Sequence, residues 1–231
     1  MSDWISFYDF KHSVIYVNAR HRDVHYRTIA NDIGAYVPSS QAHVLDYGCG
    51  EATSAELVAA ACRELVLVEA APNVRASLTM RYAGHAKIAV VTPEQAAAWP
   101  PGSFDLIVMH SVAQYLSAAE LERLLTVFRR LLKPDGLFVI GDIVPPKLAA
   151  PTAALALLRF AAANGFFWAA AFGLLRIFLS DYLRLKKTVG LSHYEETAML
   201  AKLKAAGFAA QRAPRNIGHN QRRMTFLARP A

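Results

Sequence analysis

The sequence predicts an α/β fold in which a doubly wound, mostly parallel sheet of seven strands ends in an antiparallel C-terminal edge pair and carries an apolar helical insertion. Three observations support this prediction. Short apolar runs alternate with helical patterns five times through residue 142, which is typical of a parallel sheet covered on both faces. Two strand-like runs close the chain, and a nearly uncharged stretch precedes them. The 231 residues, 54% of them hydrophobic, are enough for one sizeable domain.

The first predicted strand ends at an acid and a glycine turn, in the stretch VLDYGCGEATSAEL. Its apolar residues 44–45 indicate a buried strand, and Asp46 stands where that strand reaches the edge of the sheet. Gly48 and Gly50 lack a Cβ, so the backbone there can turn tightly and let another molecule approach closely. The pattern is typical of a nucleotide-type site.

A helix is predicted directly behind this turn. Thr53 and Glu56 have the T-x-x-E spacing of a capping box, which places the N-terminus of the helix at the glycine turn. Thr53 also takes the place of the third glycine in the G-x-G-x-x-G motif, and this difference disfavours NAD as the ligand.

Four further strands and two clear helices are predicted before residue 143. The strands are apolar runs at residues 65–69, 87–91, 104–110 and 136–142. One helical pattern covers residues 71–82. Another begins at a capping box formed by Ser117 and Glu120, and Pro134 and Gly136 end it.

The C-terminal part breaks the alternation of strand and helix. A helix is expected to begin at Ser192, with Glu195 as its capping-box partner, and to end at Gly207. Residues 208–214 and 224–230 follow as two strands, and their short connection favours antiparallel pairing. The predicted core is therefore residues 43–146 with 192–231. Residues 1–42 form an N-terminal helical cap segment, and residues 147–191 form the insertion.

The insertion is apolar but poorly suited to crossing a membrane. Its longest uncharged stretch is shorter than the ~20 residues of a membrane-spanning helix, and Asn164 and Gly165 divide it into two helix-sized halves, as in a helical hairpin. We expect it to form a cap or lid. Its apolar surface has three candidate occupants: a lipophilic acceptor, an anionic membrane surface with Lys186 and Lys187 near the headgroups, or a partner subunit such as a second copy in a homodimer.

The N-terminal segment concentrates aromatic and basic side chains before the first strand. They are Tyr16, Arg20, His21, Arg22, His25 and Tyr26. A solvated helix face and a functional surface both explain such a pattern, and the number of histidines tilts the interpretation toward function. Arg22 stands where a metalloprotease helix would carry glutamate, so the spacing of the two histidines does not indicate a metal site.

Composition limits the partners and the compartment. The net charge of +7 suits nucleic acid, an anionic membrane surface or an acidic substrate, and charge alone does not choose among them. Cys49 and Cys62 stand alone, which favours a reduced compartment and argues against a zinc site. The N-terminus does not resemble a secretory signal, so a cytoplasmic location is expected, with peripheral contact at the inner face of a membrane as an option.

Together these motifs resemble the class I S-adenosylmethionine-dependent methyltransferases. The resemblance rests on VLDYGCGEA, on Glu69 at the end of the second strand, on SFDLIVMHSVAQYL, on LLKPDGLFVIGD and on the terminal strand pair. It covers roughly residues 40–145 and 192–231, most of one α/β domain.

The resemblance implies S-adenosylmethionine as the cofactor. Glu69 would accept both ribose hydroxyls, Ala70 would pack under the adenine, and Glu94 or Gln95 would meet the adenine amino group. The positions implied to contact the cofactor are Asp46, Gly48, Cys49, Gly50, Glu69, Ala70, Glu94, Gln95, His110, Ser111 and Val112.

The acceptor site is expected where the N-terminal segment, the end of the fourth strand and the insertion meet. The candidate acceptor residues are Tyr16, His21, Arg22, Tyr115, Phe167, Trp168 and His193. Phe166 and Phe172 are expected to join the two aromatic residues of the insertion in lining an apolar pocket. If an acceptor proton must be removed, His110 is the first candidate base and Asp142 the second.

The predicted function is methyl transfer to a small acceptor of lipophilic or amphipathic character. An RNA or protein methyltransferase is one alternative, although no Asn-Pro-Pro-Tyr motif follows the fourth strand and no RNA-binding module is recognisable, so nucleic acid is not expected. A non-catalytic cofactor-binding or membrane-surface protein is the other alternative.

Overall fold

The computed structural model describes residue 9, residues 16–178 and residues 192–231. Its sheet has seven strands in the order β3-β2-β1-β4-β5-β7-β6. The strands are β1 (His43–Tyr47), β2 (Glu64–Val68), β3 (Ile88–Val91), β4 (Phe104–His110), β5 (Leu132–Ile143), β6 (Phe208–Arg212) and β7 (Met224–Pro230). The first five strands run parallel, and β7 pairs antiparallel with both β5 and β6. The predicted fold class is confirmed.

Helices cover both faces of this sheet. They are α1 (Ala19–Gly34), α2 (Ala55–Ala61), α3 (Pro72–Arg81), α4 (Pro93–Ala97), α5 (Ala118–Leu131), α6 (Ala150–Ala163), α7 (Phe167–Phe178) and α8 (Glu196–Ala205), with a 3₁₀ turn at Ala113–Tyr115. One core cluster joins α1, α2 and α3 to the sheet, and the other joins α5 and α8. Because the parallel strands are buried on both sides, their sequences are continuously apolar.

The predicted capping boxes have different outcomes. The box of Ser117 and Glu120 is present at the start of α5. The box predicted at Thr53 is wrong, because the chain turns again at Ala52, whose φ is +38°, and α2 begins only at Ala55.

The box predicted at Ser192 is also wrong. The Ser192 backbone N–H donates to the Gln114 carbonyl (2.8 Å), and its hydroxyl donates to the Leu116 carbonyl (2.8 Å), so this residue anchors the chain to the end of β4. Helix α8 instead starts after Glu195, and it ends at Gly207 as predicted.

The insertion contains the expected helical hairpin. Helices α6 and α7 are separated at Asn164 and Gly165, and the φ of Gly165 is +75°. Within the described ranges, no helix combines the length and the hydropathy needed to cross a bilayer. Lys186 and Lys187 lie outside the described residues.

Candidate functional site

The glycine turn after β1 is held in a geometry that only small residues tolerate. Gly48 and Gly50 have φ values of +71° and +60°. A Cβ on Gly48 would lie 2.4 Å from Cγ2 of Val112, and a Cβ on Gly50 would lie 2.8 Å from the Tyr26 hydroxyl. The Gly48 backbone N–H donates to the Val68 carbonyl (2.8 Å), which fixes the turn beside the end of β2.

Glu69 connects this turn to the end of β2. One carboxylate oxygen accepts the Gly50 N–H (3.0 Å), and the other accepts the Ala71 N–H (2.8 Å). Burial raises the pKa of Glu69, and the two N–H donors partly oppose that effect. Each oxygen can accept a second hydrogen bond, so the carboxylate can hold the turn and still receive donors from a ligand.

Asp46 is a second acid at the same edge. Burial and the nearby Glu69 carboxylate raise the pKa of Asp46 to about 7. A cationic ligand bound beside these two acids would stabilise their ionised forms. Cys49 lies between the glycines, and burial keeps it a thiol by raising its pKa. It is therefore a packed small residue rather than a nucleophile.

A cavity of about 1000 Å³ opens along the carboxyl ends of the parallel strands. Strands β2 and β5 stand three positions apart in the sheet, so Glu69 and Asp142 mark regions separated by roughly 14 Å. The glycine turn, Glu69 and Glu94 line the region near β2, whereas α1, α6 and the loop before β7 line the region near β5. The volume is large enough for a nucleotide-sized ligand and a small second molecule together.

An ion pair organises the end of the cavity near β5. The Asp142 carboxylate accepts hydrogen bonds from the Ser111 hydroxyl and the Arg223 guanidinium. Ser111 and Asp142 have φ values of +59° and +63°, a strained geometry for non-glycine residues. Although burial acts to raise it, Arg223 and His110 hold the pKa of Asp142 below its ordinary value, so the structure does not favour Asp142 as a base.

Four imidazoles gather at this same end. They are His21, His25, His110 and His219. Burial lowers the pKa of each, to about 4 for His21 and about 3 for His25. The four rings are therefore neutral near pH 7, and each can donate one hydrogen bond and accept another. The Nδ1 of His110 is buried without a partner among the described residues, and it lies against Gly141, where a Cβ would be 3.0 Å away.

Aromatic stacking attaches the hairpin to this histidine cluster. The His21 ring stacks on Phe166 (centroids 5.0 Å apart), and the His219 ring stacks on Phe160 (4.6 Å). Through α6, Ala153 and Leu157 line the cavity. The first helix of the insertion therefore contributes to the lining of the cavity.

Most of the residues predicted from the sequence meet in this cavity. They are Tyr16, His21, Asp46, Gly48, Cys49, Gly50, Glu69, Ala70, Glu94, His110, Ser111, Val112, Tyr115 and Asp142. Gln95 does not line it, because its side chain forms a capping box with Thr92 at the start of α4. Of the two candidates for the adenine end, the structure therefore places only Glu94 at the cavity.

Four predicted acceptor residues lie elsewhere. The Arg22 guanidinium lies 3.5 Å from carboxylate oxygens of Asp23 and Glu51. Phe167, Trp168 and His193 are exposed, and Trp168 retains 72% of its accessible surface. Phe172, also expected in the pocket, is 68% exposed, because the apolar hairpin turns these rings outward and buries Phe166 instead.

Several lining residues were not predicted from the sequence. His219 and Arg223 reach the cavity from the loop before β7. Asn216 holds that loop in place, because its side-chain oxygen accepts the Asp142 N–H (3.1 Å) and the Thr225 hydroxyl (2.8 Å). A histidine and an arginine in a basic loop give no local signal of function. Only the fold brings them beside β5.

Comparisons with known proteins agree with this geometry. A protein-family model described as a methyltransferase domain matches residues 45–140. No curated protein matches the sequence. Among the described residues, no group of side chains suited to holding a metal ion is found.

Solved structures resemble the whole fold at low sequence identity. The 1,6-didemethyltoxoflavin-N1-methyltransferase of Burkholderia thailandensis, solved with 1,6-didemethyltoxoflavin and S-adenosylhomocysteine, has a TM-score of 0.59 and 18% identity over 100% of this chain and 86% of its own. The DhpI–SAH complex has a TM-score of 0.62 and 10% identity over 98% and 95%. Human N-acetylserotonin methyltransferase, in complex with SAM, has a TM-score of 0.56 and 14% identity over 90% and 52%.

Proposed function

We propose that this chain, in which a methyltransferase-domain model matches residues 45–140, is a class I S-adenosylmethionine-dependent methyltransferase that transfers a methyl group to a small lipophilic or amphipathic acceptor bound at the histidine-lined end of the cavity. The observation that carries the proposal is the single continuous cavity. It joins the glycine turn and two acids near β2 to four neutral imidazoles near β5.

The residues near β2 fit the cofactor. Its amino acid part would lie on the turn of Gly48 and Gly50, whose lack of side chains lets Val112 and Tyr26 pack closely against the backbone. Glu69 has acceptor capacity left for ribose hydroxyls, and Glu94, which lines the same region, would meet the adenine amino group. S-adenosylmethionine carries an ammonium and a sulfonium cation, which would favour the ionised forms of Asp46 and Glu69. When bound, it supplies the methyl group that is transferred.

The residues near β5 would hold and activate the acceptor. The apolar share of the lining comes from residues such as Ile29, Ile33 and Leu157, which suits a lipophilic or amphipathic molecule. His110 is neutral and sits at the end of β4, between the two regions, so it can receive a proton from an acceptor hydroxyl or amine. The Asp142–Arg223 pair orients the loop that carries His219. Helices α1 and α6 limit the access of water, which favours transfer to the acceptor over hydrolysis.

Calorimetry and a transfer assay test the proposal. The full chain should bind S-adenosylmethionine and S-adenosylhomocysteine, and it should not bind NAD. With a labelled methyl group, product should appear in an organic extract when hydroxylated or amino-substituted apolar compounds are offered.

Other outcomes of the same assay would contradict the proposal. Labelling of RNA or protein with no labelled small product would replace the proposed acceptor class with a macromolecule. Cofactor binding without turnover on any acceptor would indicate a non-catalytic binder. The outer face of the hairpin offers a surface for a membrane or for a second copy, and its occupant is a question separate from catalysis.

A further inference from the structure

The hairpin exposes an unusual concentration of large apolar side chains. Seven such side chains are strongly exposed among the described residues, and five of them lie on α6 and α7. They are Leu155, Phe167, Trp168, Phe172 and Leu175. Exposed apolar groups scattered singly need no explanation, whereas a contiguous set marks an interaction surface.

The exposed residues of α7 occupy one face of the helix. Trp168, Phe172 and Leu175 follow the i, i+4, i+7 spacing of a single stripe. Their exposed fractions are 72%, 68% and 55%. We call Trp168, Phe172 and Leu175 the aromatic face; Leu155 is exposed on the neighbouring helix α6.

The opposite face of α7 is packed against the protein. Ala170 is buried with Phe166 in a small cluster, and a Cβ on Gly173 would lie 2.6 Å from Val17. The helix therefore has one satisfied face and one face directed outward. The packing of the opposite helix face therefore fixes the outward direction of the aromatic face.

The charged side chains of the hairpin that the structure describes are all basic. No aspartate or glutamate occurs from residue 143 to residue 180. Lys147 and Arg159 are exposed, and Arg159 stands one turn after Leu155 on α6. The exposed Arg20 donates through Nε to the Asn164 carbonyl (2.6 Å) at the tip of the hairpin. An apolar helix face on a hairpin whose described charged side chains are all basic complements a surface that is apolar within and anionic outside.

We propose that the aromatic face docks on an anionic lipid bilayer. The 12 residues of α7 extend about 18 Å, less than the ~30 Å hydrocarbon core, so the helix would lie in the plane of the interface with its exposed rings among the acyl chains. Tryptophan favours this depth. The lysine and arginines at the border would meet the headgroups.

A second copy of the chain fits this surface less well. Two aromatic faces would bring like charges together. Even together with Leu155, the three side chains of this face offer only roughly 500 Å² of exposed area, below the ~800 Å² per partner of a stable interface.

Vesicle sedimentation with the full chain tests the proposal. Binding is expected to vesicles containing one-quarter phosphatidylglycerol in phosphatidylcholine, to weaken at 0.5 M salt, and to be weak with phosphatidylcholine alone. The double substitution Trp168→Ser with Phe172→Ser should reduce binding at least tenfold. Met80→Ser, which removes an exposed apolar side chain on α3, is the matched control and should not change it.

Cofactor affinity, measured by calorimetry, shows whether each variant is folded, so this test does not depend on methyl transfer. Equal vesicle binding by the double variant and by the parent chain would overturn the proposal. So would the absence of binding to anionic vesicles by the parent chain. A concentration-dependent dimer that the double variant loses would assign the aromatic face to a second copy instead.

Discussion

Glycine is required at position 48 for two reasons, the positive φ of the backbone and the close packing of Val112, and mutations can separate them. A Cβ there would meet Val112 at 2.4 Å, whereas Gly84 has a similar φ of +76° with no atom within 4 Å of a Cβ. Both Gly48→Ala and Gly84→Ala should lose about 1 kcal/mol of unfolding free energy from backbone strain. Only Gly48→Ala should also lose cofactor affinity, by at least tenfold in calorimetry.

The double variant Gly48→Ala with Val112→Ala is the control for the clash. It should recover part of the lost stability, because the smaller side chain makes room for the Cβ. An equal loss of affinity in the Gly84→Ala variant would show that the effect does not arise at the turn.

Asp46 should release protons when the cofactor binds. Its pKa of about 7 leaves the carboxyl partly protonated at neutral pH, and a bound cation would lower that pKa. We expect about half a proton to be released per cofactor at pH 7. Calorimetry in buffers of different ionisation enthalpy measures this number.

The Asp46→Asn variant is the control for proton release. It should bind more weakly and release fewer protons. The same release from the variant and the parent chain would assign the proton to another group.

His110 should control the acid limb of the reaction. Burial lowers its pKa, so the ring stays neutral and able to accept a proton at lower pH than an ordinary histidine. Consequently kcat/KM should be level near neutral pH and fall only at lower pH, as the ring becomes protonated. His110→Gln should lower kcat by roughly 10²-fold or more.

His219→Gln provides a matched comparison, because His219 is a nearby histidine whose pKa is also lowered. It should leave the acid limb in place. If the fall of kcat/KM at low pH disappeared in His219→Gln and persisted in His110→Gln, His219 and not His110 would be the residue that accepts the proton.

At the scale of single residues, the sequence predicts what lies inside a continuous motif. Asp46, the two glycines and Glu69 were placed correctly at one edge of the sheet because parallel strands bring their carboxyl ends together. The choice between Glu94 and Gln95 required the capping box at Thr92, which holds the Gln95 side chain at the start of α4. His219 could not be predicted, because its position depends on hydrogen bonds across the fold.

At the scale of helices and strands, the insertion should be separable from the core. The Tyr194 N–H donates to the Val144 carbonyl (3.0 Å), so the chain returns to the place where it leaves β5. A short Gly-Ser linker can therefore replace residues 147–191. The shortened chain should bind the cofactor with nearly the same affinity and lose methyl transfer, because the acceptor end of the cavity is opened.

Parallel measurements of binding and turnover check this expectation. A wild-type rate on the native acceptor would mean that the insertion serves only as an assembly or docking surface. Loss of cofactor binding together with unfolding would show that the stacking of His21 on Phe166 is needed for the fold.

The sequence predicted helix positions better than helix starts. Ser117 and Glu120 form their box, whereas Ser192 is drawn away by the Gln114 and Leu116 carbonyls. A capping motif states a local preference, and tertiary hydrogen bonds of similar strength can displace it. The outward direction of Trp168 was missed for a related reason: hydropathy shows that a helix is apolar but does not show which face the core covers.

For the whole molecule, the sheet order creates the cavity. Strands β2, β1, β4 and β5 are consecutive neighbours, so one row of carboxyl ends carries the cofactor end and the acceptor end. The mostly parallel sheet, though not the order of its strands, followed from the alternation of strands and helices in the sequence. The cover of the cavity was not predictable from the sequence, because tertiary contacts join α1 to the loop before β7. In one of them the Gly218 N–H donates to the Asp32 carboxylate (2.7 Å).

The buried histidines should make the stability of the whole fold sensitive to acid. Burial lowers the pKa of His21 to about 4 and that of His25 to about 3, whereas an unfolded histidine titrates near 6.5. Between these values the unfolded chain binds more protons than the folded chain, so stability is full above about pH 6.5 and is lost as the pH falls. Each histidine contributes up to about 1.4 kcal/mol per pH unit.

Urea denaturation at pH 7.5, 6.0 and 5.0 measures this dependence directly. His25→Phe keeps an aromatic ring and removes one titrating group, so the slope of unfolding free energy against pH should decrease. Adding His21→Phe, which preserves a ring to stack on Phe166, should decrease it further. An unchanged slope in both variants would place the acid sensitivity in groups other than these two histidines.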